Sequence, residues 1–291
     1  MSELTDIREI KALLDRHGFR FSKSLGQNFL IRSWVPEKIA ECAGIDGNTG
    51  VLEIGPGIGC LTKKLSEKAG KVVCIELDPS LMPILEETLS GCEKVEIVFG
   101  DVLKQDLRKI VSEKMQGLRP VVCANLPYNI TSPAISALLK SECFQQMTLM
   151  VQKEVAARIC ANAGDADYSA FSILVQWYAD PELMFDVPPD CFMPQPKIMS
   201  SVIRLKVPET RRYNTEDEEF MFRVVRSAFG QRRKTLVNAL SSGLHELSKQ
   251  DIADTVSACG FDERIRGEEL SIIEYCLLSD ELLHRIHLFK H

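Results

Sequence analysis

The sequence predicts a doubly wound, mostly parallel α/β sheet followed by a smaller, all-helical C-terminal domain. Three observations predict it. From residue 50 to residue 152, short apolar runs alternate with helical segments, the pattern of repeated strand–helix–strand units. The first of these runs ends in a cluster of glycines that opens a helix. After residue 206 the strand-like runs stop and the pattern is helical to the end.

Taken in order, residues 3–18 form an amphipathic helix, with Leu4, Ile7 and Leu14 near helical spacing and Gly18 as its stop. A polar loop, RFSKSLGQNFL, follows. Trp34 to Cys42 reads as helix, with Ser33 as N-cap and Pro36 in the first turn. GVLEIG, KVVCIEL, VEIVFGD, PVVCANLP and QMTLMVQ are five strands. Between them lie the helix CLTKKLSEKA, the helix SLMPILEETL with Pro83 in its first turn, a helical connection, and a helix over residues 132–140. Residues 152–163 and 168–178 are helical, and ADPELMFDVP and SSVIRLKV close the pattern as strands. The polar segment KVPETRRYNTEDEEF, which carries Pro208, marks a boundary. The expected division is therefore a catalytic domain over residues 1–206 and a helical domain over 207–291. Ligands in such sheets bind outside the carboxyl ends of the strands, where the glycines and polar clusters fall.

Composition narrows the function classes. No run approaches the roughly 20 apolar residues that span a bilayer, and the N-terminus lacks a basic segment followed by an apolar one. A cytoplasmic protein without a membrane partner is expected. The ten cysteines form no C-x-x-C pair. Cys74 and Cys123 lie in apolar runs, so reduced, structural thiols are expected. The histidines at 17, 245, 284, 287 and 291 show no metal-ligand spacing, and no metal is expected. The net charge of −6 disfavours a nucleic-acid partner unless the cations are clustered. They are: Arg223, Arg226, Arg232, Arg233 and Lys234 follow one another with no intervening acid, and Arg16, Arg20, Lys23 and Arg32 form a smaller group. Such clusters contact phosphates and orient RNA without reading its sequence.

Four constellations carry chemistry. Gly55, Gly57 and Gly59 follow the first strand in G-x-G-x-G spacing, which departs from the G-x-G-x-x-G of dinucleotide binders. It resembles the first motif of the class I methyltransferases, which cradles S-adenosylmethionine. Glu76 ends the second strand, where an acid can accept hydrogen bonds from both ribose hydroxyls. Asp101 ends the third, where a carboxylate can accept from an adenine amine. Asn125-Leu126-Pro127-Tyr128 follows the fourth strand and resembles the N/D-P-P-Y/F motif of enzymes that methylate exocyclic amines. An adenine amine is a poor nucleophile because its lone pair is delocalised. The Asn125 oxygen and the Leu126 carbonyl can each accept one N–H, which favours a tetrahedral nitrogen with its lone pair aimed at the methyl group. Tyr128 can stack on a base held out of its helix. Asn129-Ile130-Thr131 is a glycosylation sequon, discounted without a secretory signal.

With these motifs stand KSLGQNFL, GDVL, QKEVAAR, Phe192-Met193-Pro194-Gln195-Pro196-Lys197-Ile198, SSVIRL and AFGQRRK. Together they resemble the KsgA/RsmA family of ribosomal RNA adenine dimethyltransferases, kin of the Erm methylases and the mitochondrial rRNA dimethyltransferases. The resemblance runs from about residue 20 to residue 240. It implies a Rossmann-like methyltransferase fold. It also implies cofactor contacts at Asn28, Leu30, Gly55, Gly57, Glu76, Asp101 and Asn125, with S-adenosylhomocysteine as product. Phe192 is implied as a second aromatic face, opposite Tyr128. The implied substrate is a pair of adjacent adenines in the 3′-terminal hairpin loop of small-subunit rRNA, met in the immature subunit, each amine receiving two methyls. Ile198 stands where the family usually has valine.

Other readings stay open at this stage. An Erm-type enzyme would act on large-subunit RNA. A DNA adenine methyltransferase usually has Asp-Pro-Pro-Tyr and a separate recognition region. Glycine spacing disfavours an NAD dehydrogenase. A non-catalytic RNA-binding relative would not need an intact Asn125 to Tyr128. A monomer is expected, since no self-complementary apolar stripe stands out.

Overall fold

A computed structural model describes residues 4–22 and 25–288. Glu3, Lys23, Ser24 and His291, each part of an expectation above, lie outside the described residues. In chain order the elements are α1 (Ile7–Arg16), β1 (Phe29–Leu30), α2 (Trp34–Cys42), β2 (Thr49–Ile54), α3 (Cys60–Lys68), β3 (Lys71–Glu76), α4 (Met82–Thr88), β4 (Val95–Phe99), α5 (Leu107–Lys114), β5 (Arg119–Asn125), α6 (Thr131–Ser141), β6 (Gln146–Gln152), α7 (Lys153–Cys160), α8 (Ala170–Tyr178), β7 (Asp180–Val187), β8 (Phe192–Met193), β9 (Ser200–Lys206), α9 (Glu218–Gly230), α10 (Leu236–Gly243), α11 (Lys249–Ala258) and α12 (Ile272–Leu288).

The chain divides into two compact units. The first comprises Met1–Ala156 and Ala179–Glu209, the second Ala157–Tyr178 and Thr210–His291. The chain thus passes between the units at 156/157, 178/179 and 209/210, whereas the expectation was a single cut at 206/207. The segment Ala157–Tyr178 groups with the C-terminal helices because Ile173 and Trp177 are buried in their core.

The first unit is a seven-stranded sheet of order β4-β3-β2-β5-β6-β9-β7. Strands β2 to β6 pair in parallel, and β9 runs antiparallel between β6 and β7. The chain starts in the middle at β2, winds outward through β3 and β4, then crosses to β5 on the other side of β2. The reversal point thus lies between β2 and β5, and crevices form at such points beyond the carboxyl ends of the strands. β2 is buried throughout, β3 nearly so, and β5 over its four central residues, as expected of parallel strands covered on both faces.

The helices follow local rules. Asp6 caps α1 by accepting from the Arg8 amide at 2.8 Å. Gly18, at φ +61°, ends it one turn later, with the Phe19 amide returning to the Leu14 carbonyl at 2.9 Å. Ser33 precedes α2 but makes no side-chain cap bond. α1 buries Ile10, Leu13 and Leu14 against Phe29, Ile58, Leu81 and Ile84, each burial contributing about 1.5–3 kcal/mol. The loop expected at RFSKSLGQNFL contains a short strand: β1 pairs antiparallel with β8, Leu30 opposite Phe192.

The second unit is helical. α9 starts at Asp217, which accepts from the Phe220 amide at 2.9 Å, and α11 starts with a Ser248–Asp251 capping box. Trp177 stacks on Tyr213 with ring centroids 5.9 Å apart. Among the described residues, no helix is long and apolar enough to cross a membrane.

Candidate active site

A cleft of the first unit opens at the reversal point, with an empty volume of about 1140 Å³ up to its mouth. It is lined by the loop 25–30, the turn after β2, the ends of β3 and β4, and the turn after β5. Gly55 and Gly57 stand at φ +66° and +60°, where L side chains are strained. A Cβ on Gly57 would also come within 3.1 Å of the Phe29 ring. The turn is therefore held open by the absence of side chains.

Three acids line the cleft. Glu76 is buried, and its Oε1 accepts from the Leu77 and Asp78 amides at 2.8 and 2.7 Å. Burial nonetheless raises its pKa above the usual carboxylate range. With Oε1 so engaged, Oε2 is the oxygen left to accept from a ligand. Glu53, on β2, was not singled out from sequence. It is fully buried, Cys74 Sγ lies 3.5 Å from its Oε2, and desolvation raises its pKa to about 7. The signal was there: Glu53 is a single carboxyl in an otherwise apolar strand. Asp101 lies at the mouth, accepting from the Leu103 amide at 3.0 Å, with Lys104 Nζ 3.9 Å away.

The loop 25–30 is tied to both walls. Gln27 Nε2 donates to Asp78 Oδ2 at 2.5 Å, while Gln27 Oε1 accepts from the Ser22 amide at 2.8 Å. On the other wall Asn125 Nδ2 donates to the Asn28 carbonyl at 3.3 Å. Asn28 donates to the Gly26 carbonyl at 3.1 Å, and a Cβ on Gly26 would lie 2.9 Å from Asn129 Oδ1. Sequence reading reached Asn28 and Leu30 by resemblance and missed Gln27, whose partner lies 51 positions away.

The turn after β5 brings Asn125, Leu126, Pro127 and Tyr128 to the cleft. The Leu126 amide donates to the Met150 carbonyl at 3.1 Å, which holds the turn to β6. Because Asn125 Nδ2 donates to Asn28, its Oδ1 is the end available as an acceptor. The Tyr128 hydroxyl lies 2.7 Å from Ser200 Oγ, and burial raises its pKa. Phe192 is placed elsewhere. Its ring is 2% exposed, packed in the core with Leu30, Val35 and Cys191, and it is not among the residues lining the cleft.

The basic cluster lies in the second unit, on α9 and the turn after it. Sequence adjacency suggested five uninterrupted cations. The fold brings in an acid: Arg223 pairs with Glu246 and covers the Phe220 ring at 4.9 Å. Arg232 donates to the Ala166 carbonyl. Arg226, Arg233 and Lys234 are exposed and, among the described residues, form no ion pair. In the N-terminal group, Arg16 pairs with Glu87, whose other oxygen lies 2.7 Å from His17 Nε2. Arg20 and Arg32 are exposed. No cluster of acids, cysteines or histidines among the described residues could hold a metal ion.

A reversed-winding sheet, a side-chain-free turn after β2, an acid ending β3 and an asparagine ending β5 in the same cleft define a methyltransferase of the doubly wound class. The comparisons with known proteins narrow this. The sequence profile of the ribosomal RNA adenine dimethylase family matches residues 18–282, and the chain belongs to that family. It is 46% identical over 286 residues to the ribosomal RNA small subunit methyltransferase A of Alkaliphilus metalliredigens, covering 98% of this chain and all of that one. It is 46% identical over 277 residues to the protein of the same name from Geobacillus thermodenitrificans, covering 94% of each. Among solved structures it resembles a dimethyladenosine transferase from Plasmodium falciparum, with a TM-score of 0.72 and 28% identity over 86% of this chain and 95% of that one. The fold is also similar to that of the 23S rRNA methyltransferase ErmE, with a TM-score of 0.67 and 24% identity over 87% of this chain and 99% of that one.

Proposed function

We propose that this enzyme dimethylates the N6 amines of two adjacent adenines in the 3′-terminal hairpin loop of 16S rRNA, in the immature small subunit, using S-adenosylmethionine. The single observation that carries the reading is Asn125. It ends β5 in the cleft that Glu76 and the Gly55–Gly57 turn also line, and the bond from its Nδ2 to Asn28 leaves Oδ1 to accept an amine N–H.

The residues present fit the methyl donor. Gly55 and Gly57 leave room where a Cβ would fill the cradle. Glu76 has one oxygen fixed by amides and one left for the ribose hydroxyls. Asp101 at the end of the next strand suits the adenine amine, and Asn28, Leu30 and Asn125 close the reactive end. When bound, S-adenosylmethionine supplies an electrophilic methyl on a sulfonium that already carries its leaving group, and S-adenosylhomocysteine is the product. The protein's own contribution is alignment. Asn125 Oδ1 and the Leu126 carbonyl hold the two N–H groups, so that the nitrogen lone pair points along the transfer line. Tyr128 supplies a face for the unstacked base. Phe192 could oppose it only after its ring left the core, so Tyr128 is the face assigned here.

Arg226, Arg233 and Lys234 are assigned to phosphates, with Arg223 and Arg232 as weaker contributors because each is already engaged. The enzyme is proposed to act in the cytoplasm as a monomer, and sedimentation as a stable dimer would overturn that.

The test is methyl transfer from labelled S-adenosylmethionine to immature small subunits, with large subunits and duplex DNA in parallel, for wild type and Asn125→Ala. Dimethyladenosine in small-subunit RNA, reduced by about a hundredfold or more in the variant, is the expected result. Label in large-subunit RNA would place the enzyme with the Erm methylases. No label, with cofactor still bound, would refute the catalytic reading.

A further inference from the structure

Tyr128 sits in a short turn, and nothing in that turn fixes its ring. The χ2 torsion of a tyrosine is broad, so a backbone position alone leaves the ring plane undetermined. The phenol hydroxyl, however, lies 2.7 Å from Ser200 Oγ. Ser200 is a fixed point. It is fully buried and begins β9, registered opposite Gln152 of β6 on one side and Val187 of β7 on the other. The Lys153 amide donates to the Met199 carbonyl at 3.0 Å, which anchors the residue before it. Burial keeps the Tyr128 hydroxyl protonated well above neutral pH, so the bond is intact under working conditions.

We infer that Ser200 is a positioning residue for methyl transfer: its hydroxyl sets the ring plane of Tyr128 and so the orientation in which the target adenine stacks. The inference rests on the reading above that Tyr128 faces the base. Ser200 touches neither the cleft nor any reacting atom; it acts through the tyrosine. It also joins two distant parts of the chain, since β9 follows directly on the segment that leaves β8, whereas Tyr128 belongs to the turn after β5.

A double-mutant cycle tests this on the full-length enzyme, with immature small subunits and S-adenosylmethionine as substrates. Ser200→Ala and Tyr128→Phe each remove the same bond from opposite ends. Each is expected to lower kcat by about five- to tenfold while leaving the cofactor KM within about twofold, as for one lost hydrogen bond expressed in the transition state. The double variant is expected to be no slower than the slower single variant. Additive losses, or an unchanged kcat in Tyr128→Phe, would overturn the inference. Tyr128→Phe leaves β9 untouched, so the inference stays testable if Ser200→Ala misfolds. Tyr128→Ala separates the two levels of the argument. If it retains full activity, the base-stacking reading itself fails. If it is inactive while Tyr128→Phe behaves as wild type, only the role of Ser200 fails.

Discussion

Glu53 shows how far one buried side chain can influence the whole chain. Its pKa rises from 4.5 to about 7 because the folded strand strips water from the carboxyl. The groups acting on it are the Thr62 hydroxyl, the Cys60, Cys74 and Cys123 thiols, all pushed up, and the Glu76 carboxyl, and none is a compensating cation. A carboxyl raised by folding stays neutral in the native chain while the unfolded chain ionises. Its favourable contribution is therefore complete below about pH 4.5 and is lost as pH rises through about 7. Glu53→Gln has no charge to desolvate. Without cofactor, the variant should match wild type near pH 4 and exceed it by about 3 kcal/mol near pH 8 in denaturant unfolding. A stability difference that does not change between the two pH values would refute the ionisation account. Asn125 and Glu76 were legible from sequence because their role depends on a strand end, a local feature. Glu53 was passed over because a charge inside an apolar strand reads as an exception until its burial is known. Ser200 was out of reach, because its partner lies in the turn after β5, 72 positions away, and only the fold brings the two together.

At the scale of elements, residues 25–30 form a strap tied to both walls of the cleft. Gln27 ties it to Asp78 beside the acid of β3, and the Asn28 carbonyl ties it to Asn125. Gln27→Ala removes one bond to a charged group and one to a backbone amide. It should weaken cofactor binding by about tenfold, read by calorimetric titration with S-adenosylhomocysteine, while kcat at saturating cofactor changes by less than about threefold. Unchanged affinity would mean that the strap does not cover the ligand. Most elements were readable from periodicity: α2, β6 and the strand ends fall within a residue or two of expectation. The β1–β8 pair was not, because a two-residue strand has no periodicity and its partner is more than 160 positions away. That pairing is also why Phe192 is in the core: registered opposite Leu30, it packs with it rather than facing the cleft.

At the scale of the molecule, the units divide at 209/210, three residues beyond the composition shift at residue 206, and the shift gives no sign of the earlier excursion over Ala157–Tyr178. α7 runs through the first crossing without a break, and α8 is apolar nearly all round, so neither helix signals which core it joins. Charge was partly legible in the same way. Sequence adjacency located the cations, and only the fold revealed that Glu246 neutralises Arg223. This distinction has a measurable consequence. A phosphate contact releases condensed counterions, and the logarithm of the binding constant falls with the logarithm of salt by about 0.7 to 0.9 per contact. Arg226→Ala, Arg233→Ala and Lys234→Ala should each reduce that slope by nearly one contact when a hairpin of small-subunit RNA is titrated at several salt concentrations. Arg223→Ala should reduce it by clearly less, because an arginine paired with a carboxylate in the free protein must give up that partner before it can meet a phosphate. With a net charge of −6 the chain as a whole repels RNA, so contacts made by clustered, exposed cations govern the slope. Equal slopes for Arg223→Ala and Arg233→Ala would show that Glu246 yields Arg223 freely to RNA. A slope unchanged by all four substitutions would remove this face of the helical unit from the RNA interface.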